Sequence, residues 1–284
     1  MMTIAELYKQ FVENLRTIYD ERESENIADW VFENIADSKR LSRITNKEQI
    51  INTATIGELN IALQQLLKHK PVQYVLGEAW FYKMKLKVNE DVLIPRPETE
   101  ELIEWLVEEF RCKDSGFKIL DIGTGSGCIA IALKKEITKA EVFAIDISEK
   151  ALEVAKQNAK DQKVNIQFLM LDFLDEALWK SLPLFNIIIS NPPYIPENEK
   201  VKIAKNVLEH EPHIALFVNE NDPFIFYKKI AEFAESNLLE NGKIFVEVHE
   251  DYAKEVQEIF SQKYFKTIIK KDLYGRERMI CAYR

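Results

Sequence analysis

The sequence predicts an α/β protein: a mostly parallel, doubly wound sheet with an antiparallel last strand, preceded by a small helical bundle. From residue 117 onward, short apolar β-prone runs alternate with helix-period segments, as a parallel sheet with crossover helices requires. Before residue 70 apolar residues recur at three- and four-residue spacing and no strand-like run occurs. Between about 73 and 95 the pieces Trp80-Phe81-Tyr82 and Leu86-Lys87-Val88 read as a β-hairpin connector. The expected organisation is a helical domain over 1–72, the connector over 73–96 and the α/β domain over 97–284.

In the first segment, Ile4, Leu7, Tyr8, Phe11, Leu15 and Ile18 form one apolar stripe. Ile27, Trp30, Val31 and Ile35 form a second, and Ile56 through Leu67 a third, so each helix has one face to bury in a bundle. Pro95 and Pro97 then end the connector and stiffen the approach to a helix over Glu98–Phe110. Strands are expected at Lys118–Ile122, Glu141–Ile145, Ile166–Leu171, Phe185–Ile189 and Ile244–Val248. Helices are expected from Glu149 to Asn158, from about Asp222 to Leu239, and from Tyr252 to about Gln262. The chain ends in a hairpin of Phe265–Lys270 and Met279–Tyr283 around Asp272-Leu273-Tyr274-Gly275.

With 284 residues, 46% of them hydrophobic, the chain can bury one large core and a smaller companion. The start Met1-Met2-Thr3-Ile4-Ala5-Glu6 has no basic segment leading into an apolar core, and no apolar run approaches roughly eighteen residues. A cytoplasmic protein without a membrane partner is expected. Cys112, Cys128 and Cys281 are widely spaced and expected to be reduced thiols. His210 and His213 lie among Glu209, Glu211 and Pro212, but the proline breaks helical spacing and nothing nearby completes a ligand set, so no metal is expected. The formal charge of −9 argues against a nucleic-acid substrate, whose phosphates would normally meet a basic surface. Lysine runs at 83–87 and 263–271 read as solvated faces.

Chemistry concentrates at the carboxyl ends of the strands. The run Lys118-Ile119-Leu120-Asp121-Ile122-Gly123-Thr124-Gly125-Ser126-Gly127 reads as strand, glycine turn and helix start. Its glycines permit a tight turn and a close ligand approach, and its Gly-x-Gly-x-Gly spacing departs from the dinucleotide fingerprint. Asp121 suits an amino or sulfonium cation better than a phosphate. Asp146, at the end of the next strand, can accept two ribose hydroxyls or cap the following helix, a task Ser148 could also perform. Asp172-Phe173 could bond an adenine amino group and cover its ring. The strand Phe185–Ile189 leads through Ser190 into Asn191-Pro192-Pro193-Tyr194. The prolines stiffen that exit and leave carbonyls unclaimed; Asn191 can accept from an NH2 group and Tyr194 offers a face to a flat substrate. A plain turn is the alternative.

Taken together, these features resemble the class I S-adenosylmethionine-dependent methyltransferases, whose Rossmann-like sheet is mostly parallel with an antiparallel last strand. NAD-binding sheets usually finish parallel. The more specific resemblance is to the glutamine methyltransferases of peptide chain release factors, the HemK or PrmC family. It is carried by Pro71-Val72-Gln73-Tyr74-Val75-Leu76-Gly77, Phe81, and Leu93-Ile94-Pro95-Arg96-Pro97-Glu98-Thr99-Glu100. Glu211-Pro212 with Ala215-Leu216, and Asp272-Leu273 with Arg278, extend it over essentially the whole chain. The resemblance implies S-adenosylmethionine as cofactor, held by Asp121, Gly123, Thr124, Gly125, Ser126, Gly127, Asp146, Asp172, Phe173 and Asn191. It implies a release factor as protein partner, its Gly-Gly-Gln glutamine as acceptor, and a helical domain that helps recognise it. The segment Arg96–Thr99 would form pocket wall.

An amide nitrogen is a poor nucleophile because its lone pair is delocalised, so it must be aimed. The Asn191 side-chain oxygen and the Pro192 carbonyl would each accept one amide hydrogen, setting the reacting atoms about 3–3.5 Å apart. Both bonds strengthen as the nitrogen becomes more acidic. Pro193 would stiffen the grip and Tyr194 would pack on the amide and exclude water. No general base is required, since the proton can leave after transfer; Glu247 and Glu98 are the candidates if one is. The rival readings are a ribosomal-protein glutamine methyltransferase, a DNA adenine-N6 methyltransferase, which would have to flip its base, and an inactive cofactor-binding module.

Overall fold

The computed structural model describes residues 2–110, 116–263 and 265–284, so Cys112 lies outside the described residues. Two compact units form: residues 1–78 with 204–210, and residues 79–203 with 211–284.

In the first unit, helices α1 (Ile4–Leu15), α2 (Glu21–Ile35), α3 (Arg40–Thr45), α4 (Thr53–Leu66) and α5 (Val72–Leu76) follow one another. Local capping starts three of them. Thr3 and Glu6 form a reciprocal capping box on α1, and Asp20 and Asn52 accept from the third backbone N–H of α2 and α4. The apolar stripes meet in a core of Ile4, Leu7, Phe11, Leu15, Val31, Phe32, Leu59 and Leu66. The short α3 has no apolar stripe; it is held by Arg43, which is buried, bonds to Asp29 and the Ser38 carbonyl, and lies 4.5 Å from the centre of the Tyr8 ring.

The second unit opens with the pair β1 (Glu78–Phe81) and β2 (Met84–Lys87), joined by Tyr82-Lys83, both at positive φ, the turn that matches strand twist. Then come α6 (Pro97–Phe110), β3 (Lys118–Ile122), α7 (Cys128–Glu136), β4 (Glu141–Asp146), α8 (Glu149–Asp161), β5 (Gln167–Met170) and β6 (Phe185–Ser190). Past β6 lie β7 (Ile195–Pro196), α9 (Lys205–His210), which groups with the first unit, α10 (His213–Leu216) and β8 (Phe217–Val218). The chain finishes with α11 (Ile225–Asn237), β9 (Leu238–Glu247), α12 (Ala253–Gln262), β10 (Lys266–Lys271) and β11 (Glu277–Tyr283).

Seven strands form one sheet in the order β10-β11-β9-β6-β3-β4-β5. The pairs β3–β4, β3–β6, β4–β5 and β6–β9 are parallel, while β11 is antiparallel to both its neighbours. The fold class is the expected one: the last strand, β11, is antiparallel, and it lies between β10 and β9. The tight turn after β10, in which Asp272 N–H donates to the Arg276 carbonyl, makes β11 return alongside β10. The strand that ends in Glu247 begins earlier than expected, at Leu238, and takes in Gly242.

Strand alternation separates two cores. Ile119, Ile187, Ile189 and Phe245 face α6 and α7; Leu120, Ile122, Ile188, Ile244 and Val246 face α11 and α12. The parity continues to the strand ends, so Asp121 shares the side of Ile119 and Glu247 that of Phe245. Two polar residues are thereby carried under α6 and α7, buried, at the end of the sheet where ligands bind in such folds.

Candidate active site

At the carboxyl ends of β3, β4, β5 and β6 a cavity of about 220 Å³ opens, and its wall includes Gly123, Gly125, Asp146, Asp172, Phe173, Asn191 and Pro193. The sequence-derived candidates Asp121, Thr124, Ser126, Gly127, Pro192 and Tyr194 are not among the residues that line it. The glycine turn explains the division. Gly123 and Gly125 have φ of +72° and +54°, and a Cβ at either would meet nothing within 4 Å, so both leave space for a ligand. Gly127 differs: a Cβ there would come within 3.1 Å of Ala155 and 3.2 Å of Ile131, so its missing side chain lets α7 pack on α8.

Thr124 and Ser126 are buried, and Thr124 donates to Asp121 at 2.6 Å. Burial pushes the Asp121 carboxyl up to about 7, an effect that Thr124 and the Ala130 N–H hold back. Oδ1 of Asp121 accepts no well-formed hydrogen bond, a condition that a cationic donor would relieve.

Asp146 is bound at both oxygens by backbone: Gly125 N–H donates to Oδ2 and Ser148 N–H to Oδ1, each at 2.9 Å. The cap of α8 is Ser148, whose hydroxyl accepts from Ala151 N–H at 3.2 Å, so the capping task does not consume Asp146. Its pKa is raised, burial being the main cause. Asp172 accepts from Leu174 N–H at 3.0 Å, and Phe173 stacks on Trp179 with ring centres 5.5 Å apart.

The exit of β6 is pinned by Ser190, whose hydroxyl donates to the Ile122 carbonyl at 2.8 Å. Asn191 Nδ2 donates to Thr99 Oγ1 at 3.1 Å, and Thr99 Oγ1 donates to Glu247 Oε2 at 2.6 Å. Burial pushes the Glu247 carboxyl up to about 7; Thr99 opposes this, Glu98 adds to it, and Arg278 and Arg96 oppose it again. Tyr194 packs its ring 5.9 Å from His249, and burial raises its hydroxyl well above the usual tyrosine range. Thr99 is placed by the start of α6. Arg96, whose carbonyl accepts from Thr99 N–H, binds Glu211 at 2.6 Å, and Glu211 also accepts from Ile94 N–H.

Sequence reasoning missed several wall residues. Ile147, Leu174 and Ile214 are exposed apolar side chains on the cavity wall, and Asp91, Val92 and Phe226 complete other parts of it. An apolar residue directly after the strand-end acid, as Ile147 is, would have been the available signal. Buried Asn158 was missed as well: its Nδ2 donates to the Ser126 and Lys87 carbonyls at 2.9 Å. Among the described residues no group of three metal-ligating side chains occurs, and Cys128 and Cys281 are free thiols that burial pushes up to about 12.

Comparisons with known proteins agree with this architecture. Residues 99–216 match the methyltransferase small domain family, and residues 6–77 match the PrmC N-terminal domain family. The delta-N METTL16 MTase domain superposes over 69% of this chain and 86% of its own with a TM-score of 0.50 at 17% identity, a likeness of fold. The release factor glutamine methyltransferase of Lactococcus lactis subsp. lactis is 39% identical over 95% of this chain and 98% of its own. That of Flavobacterium psychrophilum is 45% identical over 98% of both chains. With both its helical and its catalytic segments matched, and relatives of this identity aligned nearly end to end, this chain belongs to the release factor glutamine methyltransferase family.

Proposed function

We propose that this protein transfers a methyl group from S-adenosylmethionine to the side-chain amide nitrogen of the glutamine in the Gly-Gly-Gln loop of a peptide chain release factor. The observation that carries the reading is that Asn191 and Pro193 share one cavity wall with Gly123, Gly125 and Asp146. A cofactor cradle and an amide-gripping tetrapeptide thus open on the same space.

The residues suit the cofactor. Asp121 has a buried oxygen lacking a well-formed bond and would take the amino group, Gly123 and Gly125 leave room for the ligand, and Asp146 retains lone pairs for ribose hydroxyls. Asp172 and Phe173 would hold the adenine, with Ile147 and Leu174 as apolar clamps. Thr124, Ser126 and Gly127 would contribute by shaping the turn rather than by contact. Bound S-adenosylmethionine supplies an electrophilic sulfonium methyl.

The chain's own residues do the aiming. Asn191 Oδ1 and the Pro192 carbonyl accept the two hydrogens of the acceptor amide and direct its nitrogen toward the cofactor side of the cavity. The prolines fix the backbone that carries both acceptors, so little reorganisation accompanies reaction. Tyr194 backs the acceptor and keeps water out. The helical unit recognises the body of the protein substrate.

The test is an acceptor panel. Labelled S-adenosylmethionine is incubated with the protein and, separately, a release factor, a ribosomal protein and duplex DNA. Label on the release factor, with little on the others, is expected. Label on ribosomal protein or DNA alone would overturn the assignment of substrate.

A further inference from the structure

We propose that Thr99 and Glu247 form a positioning pair that dictates which edge of the Asn191 amide faces the methyl acceptor. The inference rests on the glutamine-methyltransferase reading above and adds to it two residues that act through Asn191.

The two edges of an asparagine amide have nearly the same shape and opposite hydrogen-bonding character. An acceptor NH2 needs the oxygen edge; the amino edge would oppose it donor to donor. Backbone geometry does not choose between them, so a neighbour must. Thr99 is that neighbour, 3.1 Å from Nδ2, but a hydroxyl alone does not decide either, because it has one proton and two lone pairs and can donate or accept.

Glu247 removes the ambiguity. Its ionised carboxylate has no proton to give, so Thr99 must donate to it, and they meet at 2.6 Å. The hydroxyl then has only lone pairs to offer Asn191, which must answer with Nδ2, and Oδ1 becomes the open edge. Thr99 and Glu247 are 1% and 2% exposed, so water cannot substitute for either partner, and a wrong orientation would leave a buried group unpaired. The order of residues is legible in the fold: Glu247 extends the face of Phe245 beneath α6, and Thr99 lies in the first turn of α6.

Protonation of Glu247 lifts that constraint. A neutral carboxyl can donate to Thr99, whose own proton then points at Asn191 and draws Oδ1 inward. The charged and titratable groups around Glu247 are Arg96 and Glu98 beside Thr99, Arg278 on β11, Tyr194 after β6, Tyr227 on α11 and Cys128 on α7. Tyr227 donates to the Glu247 backbone carbonyl at 3.0 Å and leaves its carboxylate to Thr99. With the carboxyl pushed up to about 7, the charged state is lost as pH falls through neutrality.

The experiment measures kcat for release-factor methylation at saturating cofactor across pH, in the full chain, for wild type, Thr99→Val and Thr99→Ser. Thr99→Val keeps the shape and removes the hydroxyl; kcat is expected to fall about 10- to 100-fold, while cofactor affinity stays within about threefold. Thr99→Ser restores kcat to within a few-fold. Wild-type kcat declines below about pH 7, and Thr99→Val lacks that limb. A Thr99→Val enzyme within twofold of wild type, or one that keeps the acid limb unchanged, overturns the proposal. Should Thr99→Val fail to fold, Glu247→Gln, which does not titrate, must lack the acid limb; retention of the limb overturns the proposal. Wild type that methylates no glutamine overturns both the substrate reading and the pair, and is seen before any variant is made.

Discussion

The carboxylate of Asp146 accepts the backbone N–H of Gly125 at 2.9 Å, so the end of β4 holds the glycine turn that follows β3 in place. Two strand ends that are neighbours in the sheet thus shape one cradle, and the acid is already oriented when a cofactor arrives. Removing it should cost affinity twice, by losing ribose contacts and by loosening the turn. Asp146→Ala is expected to weaken S-adenosylmethionine binding about 100-fold, about 2.7 kcal/mol, in a calorimetric titration. Unchanged affinity would remove Asp146 from the cofactor site.

Asn191 is expected to behave oppositely. Its side chain serves the acceptor, so Asn191→Ala should lower kcat about 10²- to 10³-fold, with a much smaller change in cofactor affinity. Single-turnover methylation with preloaded cofactor separates the two effects, and preserved turnover would contradict the aiming role.

The three glycines of the turn should separate by phenotype. Gly127→Ala places a methyl against Ala155 and Ile131 at a φ of +80°, and should destabilise the fold by about 2–3 kcal/mol in urea denaturation. Gly125→Ala meets no protein atom within 4 Å; beyond the strain of its positive φ, it should act chiefly on cofactor binding. Equal stability losses at both positions would contradict the division between packing and ligand space.

Two buried acids set a pH dependence. Asp121 and Glu247 have folded-state values of about 7, above their unfolded values, so between the ordinary carboxylate range and about 7 the folded state binds more protons than the unfolded. Stability without cofactor therefore falls as pH rises through that window and levels off above it. Thermal unfolding from pH 5 to 8 checks the sign, and Asp121→Asn should flatten the slope. A wild-type protein that gains stability from pH 5 to 7 would contradict it.

How much of this was legible beforehand follows from whether the signal is local. Strand ends carrying Asp121, Asp146 and Asn191 could be read because a strand, a glycine turn and a proline-stiffened exit each declare themselves within a few residues. The small helices α3, α9 and α10 could not, because they lack a full apolar stripe. The Thr99–Glu247 and Asn191–Thr99 contacts span 148 and 92 residues of sequence, and only the sheet order brings them together. Gly127 looked like its two neighbours in sequence and differs because Ala155 of α8 lies beside it. Thr99 belonged to a motif read as pocket wall, with no local cue to its partners.

The most direct measurement is peptide-mapping mass spectrometry of a purified release factor after incubation with this protein and S-adenosylmethionine. A gain of one methyl group on the glutamine of the Gly-Gly-Gln loop, absent when that glutamine is replaced, is the predicted result. A methyl group on another residue, or none on a release factor while the protein still binds the cofactor, would contradict the account.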